Sequence, residues 1–180
     1  MKKTWLLFEI LVCFIFLSCN ELQKRQNEKI FSEWIGKEII IPDVFTFKSF
    51  GKDTLCNYLW DKEYKIFTYI DSIGCSSCKM DLQGWEGIIK ISHKLHLNIG
   101  FIFVVHSSNF WLFDTGILIH EFEHPIIYDY NNDFHKLNNF PPAPFRTFLL
   151  DKSNKVLLIG SPVGNPEMWE EYLRVITQKY

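Results

Sequence analysis

The chain has 180 residues, 47% of them apolar and 17% aromatic, including 17 Phe. That composition excludes a disordered chain and suits one domain with a densely packed core. The net charge is −2, from 19 basic and 21 acidic residues, so nothing electrostatic favours nucleic acid as a partner.

The N-terminus reads "MKKTWLLFEILVCFIFLSCN". Lys2 and Lys3 precede an apolar run, Trp5–Leu17, broken only by Glu9. The run is short for a membrane span and suits a secretory signal. Its ending, Phe16-Leu17-Ser18-Cys19, resembles a bacterial lipoprotein signal. That resemblance implies a signal peptide over 1–18 and a diacylated Cys19 that holds the protein on a membrane, two acyl chains being enough for stable anchoring. Of five cysteines, Cys13 leaves with the signal peptide and Cys19 takes lipid, so Cys56, Cys75 and Cys78 remain in an extracytoplasmic compartment that permits disulfides.

Residues 19–36 read as the lipidated end, a polar tether ("NELQKRQNEK") and a short helix carrying Ile30, Phe31, Trp34 and Ile35, ended by Gly36. The rest, 37–180, reads as one domain. "KEIIIP" and "VFTFKSF" are strand-like, separated by Pro42. Lys65–Asp71 is a strand. A helix is expected from Cys75 to about Leu95, with Leu82, Trp85, Ile88, Ile89 and Ser92 on one face. Ile99–Val105 is an apolar strand of the buried parallel kind. A helix over Asn109–Glu123, a short strand over Ile126–Tyr130 and a polar connector with one helical turn follow. "RTFLLD" and "KVLLIG" flank "KSN" as a hairpin, and Pro166 opens a last helix. The order is β-α-β-α-β, then a hairpin and a helix: an α/β domain with a mixed sheet.

Within "YKIFTYIDSIGCSSCKMDL", Cys75 and Cys78 follow a strand and open a helix. The pair reads as a zinc corner, a static staple or a redox couple. A cysteine at a helix N-terminus faces unpaired N–H groups and the positive end of the dipole, which favour the attacking thiolate. Two intervening residues bring the second sulfur within reach of the first. Cys75 is then the exposed nucleophile and Cys78 the resolving thiol.

Two blocks in this order, "FTYIDSIGCSSCKMD" and "RTFLLDKSNKVLLIG", resemble the TlpA-like thiol–disulfide oxidoreductases of the thioredoxin fold, over about Lys37–Tyr180. The resemblance implies a central mixed sheet flanked by helices and catalysis by the Cys75–Cys78 dithiol without a further cofactor. It implies client proteins bearing thiols or disulfides, and a reductase or oxidant that recycles the pair. Asp81, three residues after the second cysteine, matches the family's acid and would take the proton of Cys78. Thioredoxins proper place a buried Asp six residues before the first cysteine, where this chain has Tyr69. The family's cis-proline before the hairpin points to Pro144, one residue away from the usual spacing. The competing reading is a binding or assembly lipoprotein on the same fold with a static Cys75–Cys78 disulfide. A peroxidase would need a Thr-x-x-Cys site that is absent from the sequence.

Two metal motifs compete for attention. "HEFEH", His120–His124, matches His-Glu-x-x-His, but Pro125 ends any helix at the second ligand. Cys75, Cys78, His93 and His96 approach a Cys2His2 pattern. The histidines have only two residues between them, and about 20 Å of helix would separate the two pairs. No metal is therefore expected. Cys56, alone among apolar residues, reads as packed and inert.

Overall fold

The structure is a computed structural model that describes residues 21, 23–72 and 80–177. The chain divides into two compact units, Met1–Trp34 and Ile35–Tyr180. In the first, residues 23–34 are one helix, with Lys29 and Glu33 paired at 3.8 Å one turn apart. The run expected as a polar tether is therefore helical from residue 23. Among the described residues no helix is long and apolar enough to cross a membrane. The signal-like run and Cys19 lie outside the described residues.

The second unit is built on seven strands: β1 (Phe47–Ser49), β2 (Lys52–Thr54), β3 (Tyr64–Ser72), β4 (Ile99–Ser107), β5 (Ile126–Tyr128), β6 (Thr147–Leu150) and β7 (Val156–Ile159). They lie in the order β2-β1-β5-β4-β3-β6-β7. β3, β4 and β5 are mutually parallel; β6 runs antiparallel to β3, and β7 and the β1–β2 hairpin complete the two edges. The helices are α1 (Leu82–Lys94), α2 (Phe110–Ile119), α3 (Asp133–Asn138) and α4 (Pro166–Thr177).

β4 is buried along nearly its whole length, as an apolar strand covered on both faces must be. One face of the sheet packs Ile66, Ile70, Phe101, Phe103 and Val105 against Leu82, Trp85, Ile88 and Ile89 of α1, Phe113 and Ile117 of α2 and Tyr172 of α4. The five residues expected to mark the inner face of α1 are all buried. The other face carries Phe67 and Phe148 against Phe134 and Phe140, with ring centroids 5.5 to 6.3 Å apart. Alternation along β3 separates these two sets.

Several expectations are corrected. "KEIIIP" forms a single bridge, Glu38 to Lys155, rather than a strand, and its backbone bonds reach only the first residue of β7, Val156. The helix expected to run to Glu123 stops at Ile119. There Glu121 turns left-handed (φ 51), while Phe122 N donates to Ile117 O and Glu121 N to Leu118 O. This is the paired bonding of a Schellman end with Glu where Gly is usual. The helical turn expected in the connector at 131–139 is present as α3, whose first amides at Asp133 and Phe134 donate to the carboxylate of Asp129 at 2.7 and 3.0 Å.

Candidate functional site

Register places the site. β3 and β4 pair in parallel from Tyr64–Ile99 to Ser72–Ser107, so their C-terminal ends coincide. Crevices at the carboxyl ends of parallel strands are where open α/β sheets bind ligands. On its other side β3 pairs with β6 only as far as Thr68–Thr147, plus one bond from Tyr69 N to Arg146 O at 2.9 Å. Continuing that register would put Pro144 opposite Asp71. Proline has no N–H to give, so the ladder stops. A cavity of about 510 Å³ opens at this gap, its walls including Ile70, Asp71, Met80, Trp85, Pro144 and Val163.

Of the sequence-derived site residues, Cys75 and Cys78 lie outside the described residues, as does Cys19. Asp81 and Pro144 are brought together on the walls of this one cavity. The Ala143–Pro144 bond is cis. Asp81 does not continue a helix from Cys75 to Leu95. It stands left-handed (φ 45) as the N-cap of α1, accepting from Gly84 N at 3.1 Å through Oδ1. Asp is among the few residues that tolerate this conformation and cap well from it.

Two further charged residues, Asp71 and Arg146, line the cavity. Arg146 directs Nη1 to Asp71 Oδ2 at 2.6 Å and Nε to Pro141 O at 2.6 Å. Its guanidinium lies over the Tyr69 ring, 5.7 Å from the centroid. Tyr69 in turn donates to Asn132 Oδ1 at 2.5 Å and stacks on Phe140 at 4.6 Å. Burial, and then the charges of Asp71 and Asp129, push the Tyr69 hydroxyl well above the ordinary tyrosine range, with Arg146 opposing. Sequence reasoning passed over Asp71 and Arg146. The available signal was one opposite charge inside each of the two blocks, "YIDSIGC" and "FRTFLLD".

The His-Glu-x-x-His motif comes apart, while the cysteines of the Cys2His2 pattern lie outside the described residues. His120 is the C-cap residue of α2. His124, beyond the helix end, bonds Phe101 O through Nε2 at 2.9 Å, so the two histidines do not share a helical face. His93 sits in the last turn of α1 and His96 beyond it at φ 53. Among the described residues no group of three or more His, Cys, Asp or Glu side chains is placed to hold a metal ion. Cys56 is buried and forms no disulfide; its sulfur lies 3.8 Å from Thr54 Oγ1.

The chain matches no protein-family model and no curated protein. It is similar in structure to the thioredoxin domain of a thiol-disulfide oxidoreductase from Bacteroides vulgatus, with a TM-score of 0.57, 11% identity, and coverage of 79% of this chain and 98% of that one. It is also similar to StoA from Bacillus subtilis (TM-score 0.51, 19% identity, 73% and 97% covered). A thiol:disulfide interchange protein from Bacteroides sp. gives a TM-score of 0.56 at 10% identity, with 79% and 91% covered. At these identities the likeness is one of fold, and Ile35–Tyr180 has a thioredoxin-like fold: a central mixed seven-stranded sheet flanked by helices.

Proposed function

We propose that the chain is a TlpA-like thiol–disulfide oxidoreductase of the bacterial envelope, anchored in a membrane through lipid on Cys19 and facing the periplasm. The observation that carries this reading is the cavity at the carboxyl end of β3. It is walled by Asp81 and Pro144, and the Cys75–Cys78 block is the segment that joins β3 to α1. Solved structures of the same fold that carry thiol–disulfide names support it.

In the reducing direction, the Cys75 thiolate attacks one sulfur of a client disulfide. A mixed disulfide forms and the client's other sulfur leaves as thiolate. Cys78 loses its proton to the Asp81 carboxylate and attacks Cys75 Sγ. The second client thiolate departs, and the Cys75–Cys78 disulfide carries away the two oxidising equivalents. A partner dithiol restores the pair. In the oxidising direction the same steps run in reverse, and a partner oxidant recycles it. Pro144, on the cavity wall, lies against the incoming client chain.

The test is a redox titration of the full chain in defined thiol–disulfide buffers, with alkylation and mass analysis of Cys75 and Cys78. A reversible two-electron transition between about −280 and −120 mV supports the proposal, and its midpoint sets the physiological direction. A pair still oxidised below about −300 mV is a static staple. That result replaces the enzyme with a binding or assembly lipoprotein. Cys75→Ser abolishes exchange in the first case and leaves binding intact in the second. Loss of labelled palmitate incorporation in Cys19→Ser tests the anchor.

A further inference from the structure

α2 turns an apolar stripe outward. Its sequence, FWLFDTGILI, holds one charged residue, Asp114, and that carboxylate accepts from the Tyr128 hydroxyl at 2.5 Å. Phe113 and Ile117 are buried in the core. At 3.6 residues per turn, Trp111, Leu112, Thr115, Leu118 and Ile119 fall within an arc of about 120° on the other side, over a length of about 12 Å. Trp111 is 74% exposed, Ile119 72%, Leu118 59% and Leu112 44%. Thr115 supplies the one hydroxyl in the stripe, and it already donates to Trp111 O at 2.9 Å. A helix that is apolar all round is ordinarily covered all round, and an exposed apolar patch marks an interaction surface.

We infer that the Trp111–Ile119 face of α2 is a lipid-contact surface, seated in the interfacial layer of the membrane that holds the chain. This rests on the reading of Cys19 as a lipidated anchor and not on the reading of Cys75 and Cys78. Two observations favour lipid over protein. Protein interfaces fix their register with about ten hydrogen bonds and a polar rim. Apart from the Trp111 indole N–H, this stripe offers no charge and no donor that is not already bonded, and an indole with an apolar body and one polar edge suits the headgroup level. The second observation is reach. The domain is entered at Gly36, whose amide donates to Val156 O of β7 at 2.8 Å. α2 joins β4 to β5, three and four strands from β7, or about 14–19 Å at the usual strand spacing. The helix over residues 23–34 spans about 18 Å, and the four links from Cys19 to its start at most about 14 Å. Whatever direction that helix takes, the chain is long enough for α2 to meet the surface and too short to carry the domain more than about 40 Å from it. Tethering at that range makes a weak contact effective. Glu121 and Glu123, just beyond the helix, are exposed, so the contact is expected with zwitterionic lipid and gains nothing from anionic headgroups.

The experiment places the acylated full-length protein in phosphatidylcholine vesicles, with and without bromine on the acyl chains, and compares its tryptophan fluorescence with that of Trp111→Phe. The difference isolates the Trp111 signal, and Phe keeps the face apolar. Seating about 5–10 Å deep brings the indole against the chains, so bromine is expected to cut that difference signal about twofold or more. Leu118→Ser combined with Ile119→Ser, both at exposed positions, is expected to remove most of the quenching and leave the thermal midpoint unchanged. The quenching is expected to persist at fewer than one protein per vesicle. Quenching that vanishes at that dilution assigns the face to a second copy and overturns the inference. Flotation of the vesicles checks the anchor separately. A chain that does not float removes the anchor reading, and it is then held by an N-terminal hexahistidine on nickel-chelating lipid for the same comparison. An unquenched Trp111 in a chain held by either attachment overturns the inference, and in a chain that floats by its own lipid it leaves the anchor standing.

Discussion

Asp81 and Gly84 are locked together at the start of α1. The Asp81 carboxylate accepts from Gly84 N at 3.1 Å, and a Cβ on Gly84 would lie 2.7 Å from Asp81 Oδ2 and still nearer Val163 Cγ1. The same carboxylate thus has a structural task and a proposed chemical one, and substitutions separate them. Asn caps a helix as well as Asp does and tolerates the left-handed backbone. Asp81→Asn is expected to change stability by less than about 0.5 kcal/mol while slowing thiol–disulfide exchange and moving its pH profile. Asp81→Ala loses the cap, about 1 kcal/mol, and adds about 1 kcal/mol for a left-handed alanine. Denaturant unfolding with parallel exchange kinetics decides. Unchanged kinetics in Asp81→Asn reduce the residue to its cap.

Gly84→Ala raises helix propensity yet is expected to destabilise by about 1–3 kcal/mol, because the new methyl meets a β-branched side chain that is stiff at χ1. Val163→Ala opens that space, so the double variant should be more stable than the sum of the two single changes. A coupling of at least about 0.5 kcal/mol in a double-mutant cycle by urea unfolding is the expected result.

Gly100 gives the contrasting case. In β4 its position would drive a Cβ into the backbone carbonyl of Leu59, in the 3-10 turn Asn57–Leu59. A backbone oxygen cannot swing aside as a side chain does. Gly100→Ala is expected to cost about 3 kcal/mol, with no single side-chain deletion nearby restoring it. A thermal midpoint within a degree of wild type would contradict this.

The order of elements was legible in the sequence because it rests on local patterns. The inner face of α1 repeats at helical spacing, β4 is a continuous apolar run, and the hairpin at Asp151–Lys155 is closed by an aspartate that accepts from Ser153 N and Lys155 N. What escaped depends on partners far along the chain or on a single backbone angle. β2 is three polar residues, Lys52–Thr54, that become a strand only by pairing with β1. The break at Asp81 and the end at Glu121 each turn on one left-handed residue other than glycine. Arg146 and Asp71 are 75 positions apart, and only the register of β3 on β6 makes them neighbours.

Mild acid should weaken the fold through His124. Burial is the main cause that holds its imidazole below the usual pKa, with the bond to Phe101 O opposing and His93 adding to it. A depressed folded pKa means that the unfolded chain binds the proton more tightly. The contribution is fully present above about pH 6.5 and is lost as pH falls through the folded value. The slope in that window is at most about 1.4 kcal/mol per pH unit for one group. His124→Gln keeps a donor for Phe101 O without titrating. The wild-type unfolding midpoint should therefore fall more steeply between pH 7 and 5 than that of the variant, and parallel slopes would refute the assignment.

Alkaline unfolding should be dominated by three buried tyrosines. Burial is the leading cause that raises Tyr69, Tyr128 and Tyr172 above the ordinary range. Tyr128 is held further by its bond to Asp114 Oδ1 at 2.5 Å, and Tyr172 donates to Gly160 O at 2.7 Å. For a raised pKa the folded chain holds the proton more tightly than the unfolded chain. Stability from these groups is intact below about pH 10 and is lost above it, at up to about 1.4 kcal/mol per pH unit each. Lys65 opposes them. Its buried ammonium donates to Lys152 O at 2.9 Å and Trp60 O at 3.4 Å, and desolvation lowers its pKa. Its contribution therefore rises with pH only up to about 10.5, the unfolded value. Three groups outweigh one, and above pH 10.5 nothing from Lys65 offsets them. Tyrosinate absorbance near 295 nm, followed together with far-ultraviolet circular dichroism, is expected to show at least three of the seven tyrosines ionising only as the fold is lost. Ionisation of all seven in a chain that keeps its circular dichroism would remove the buried hydroxyls from this account.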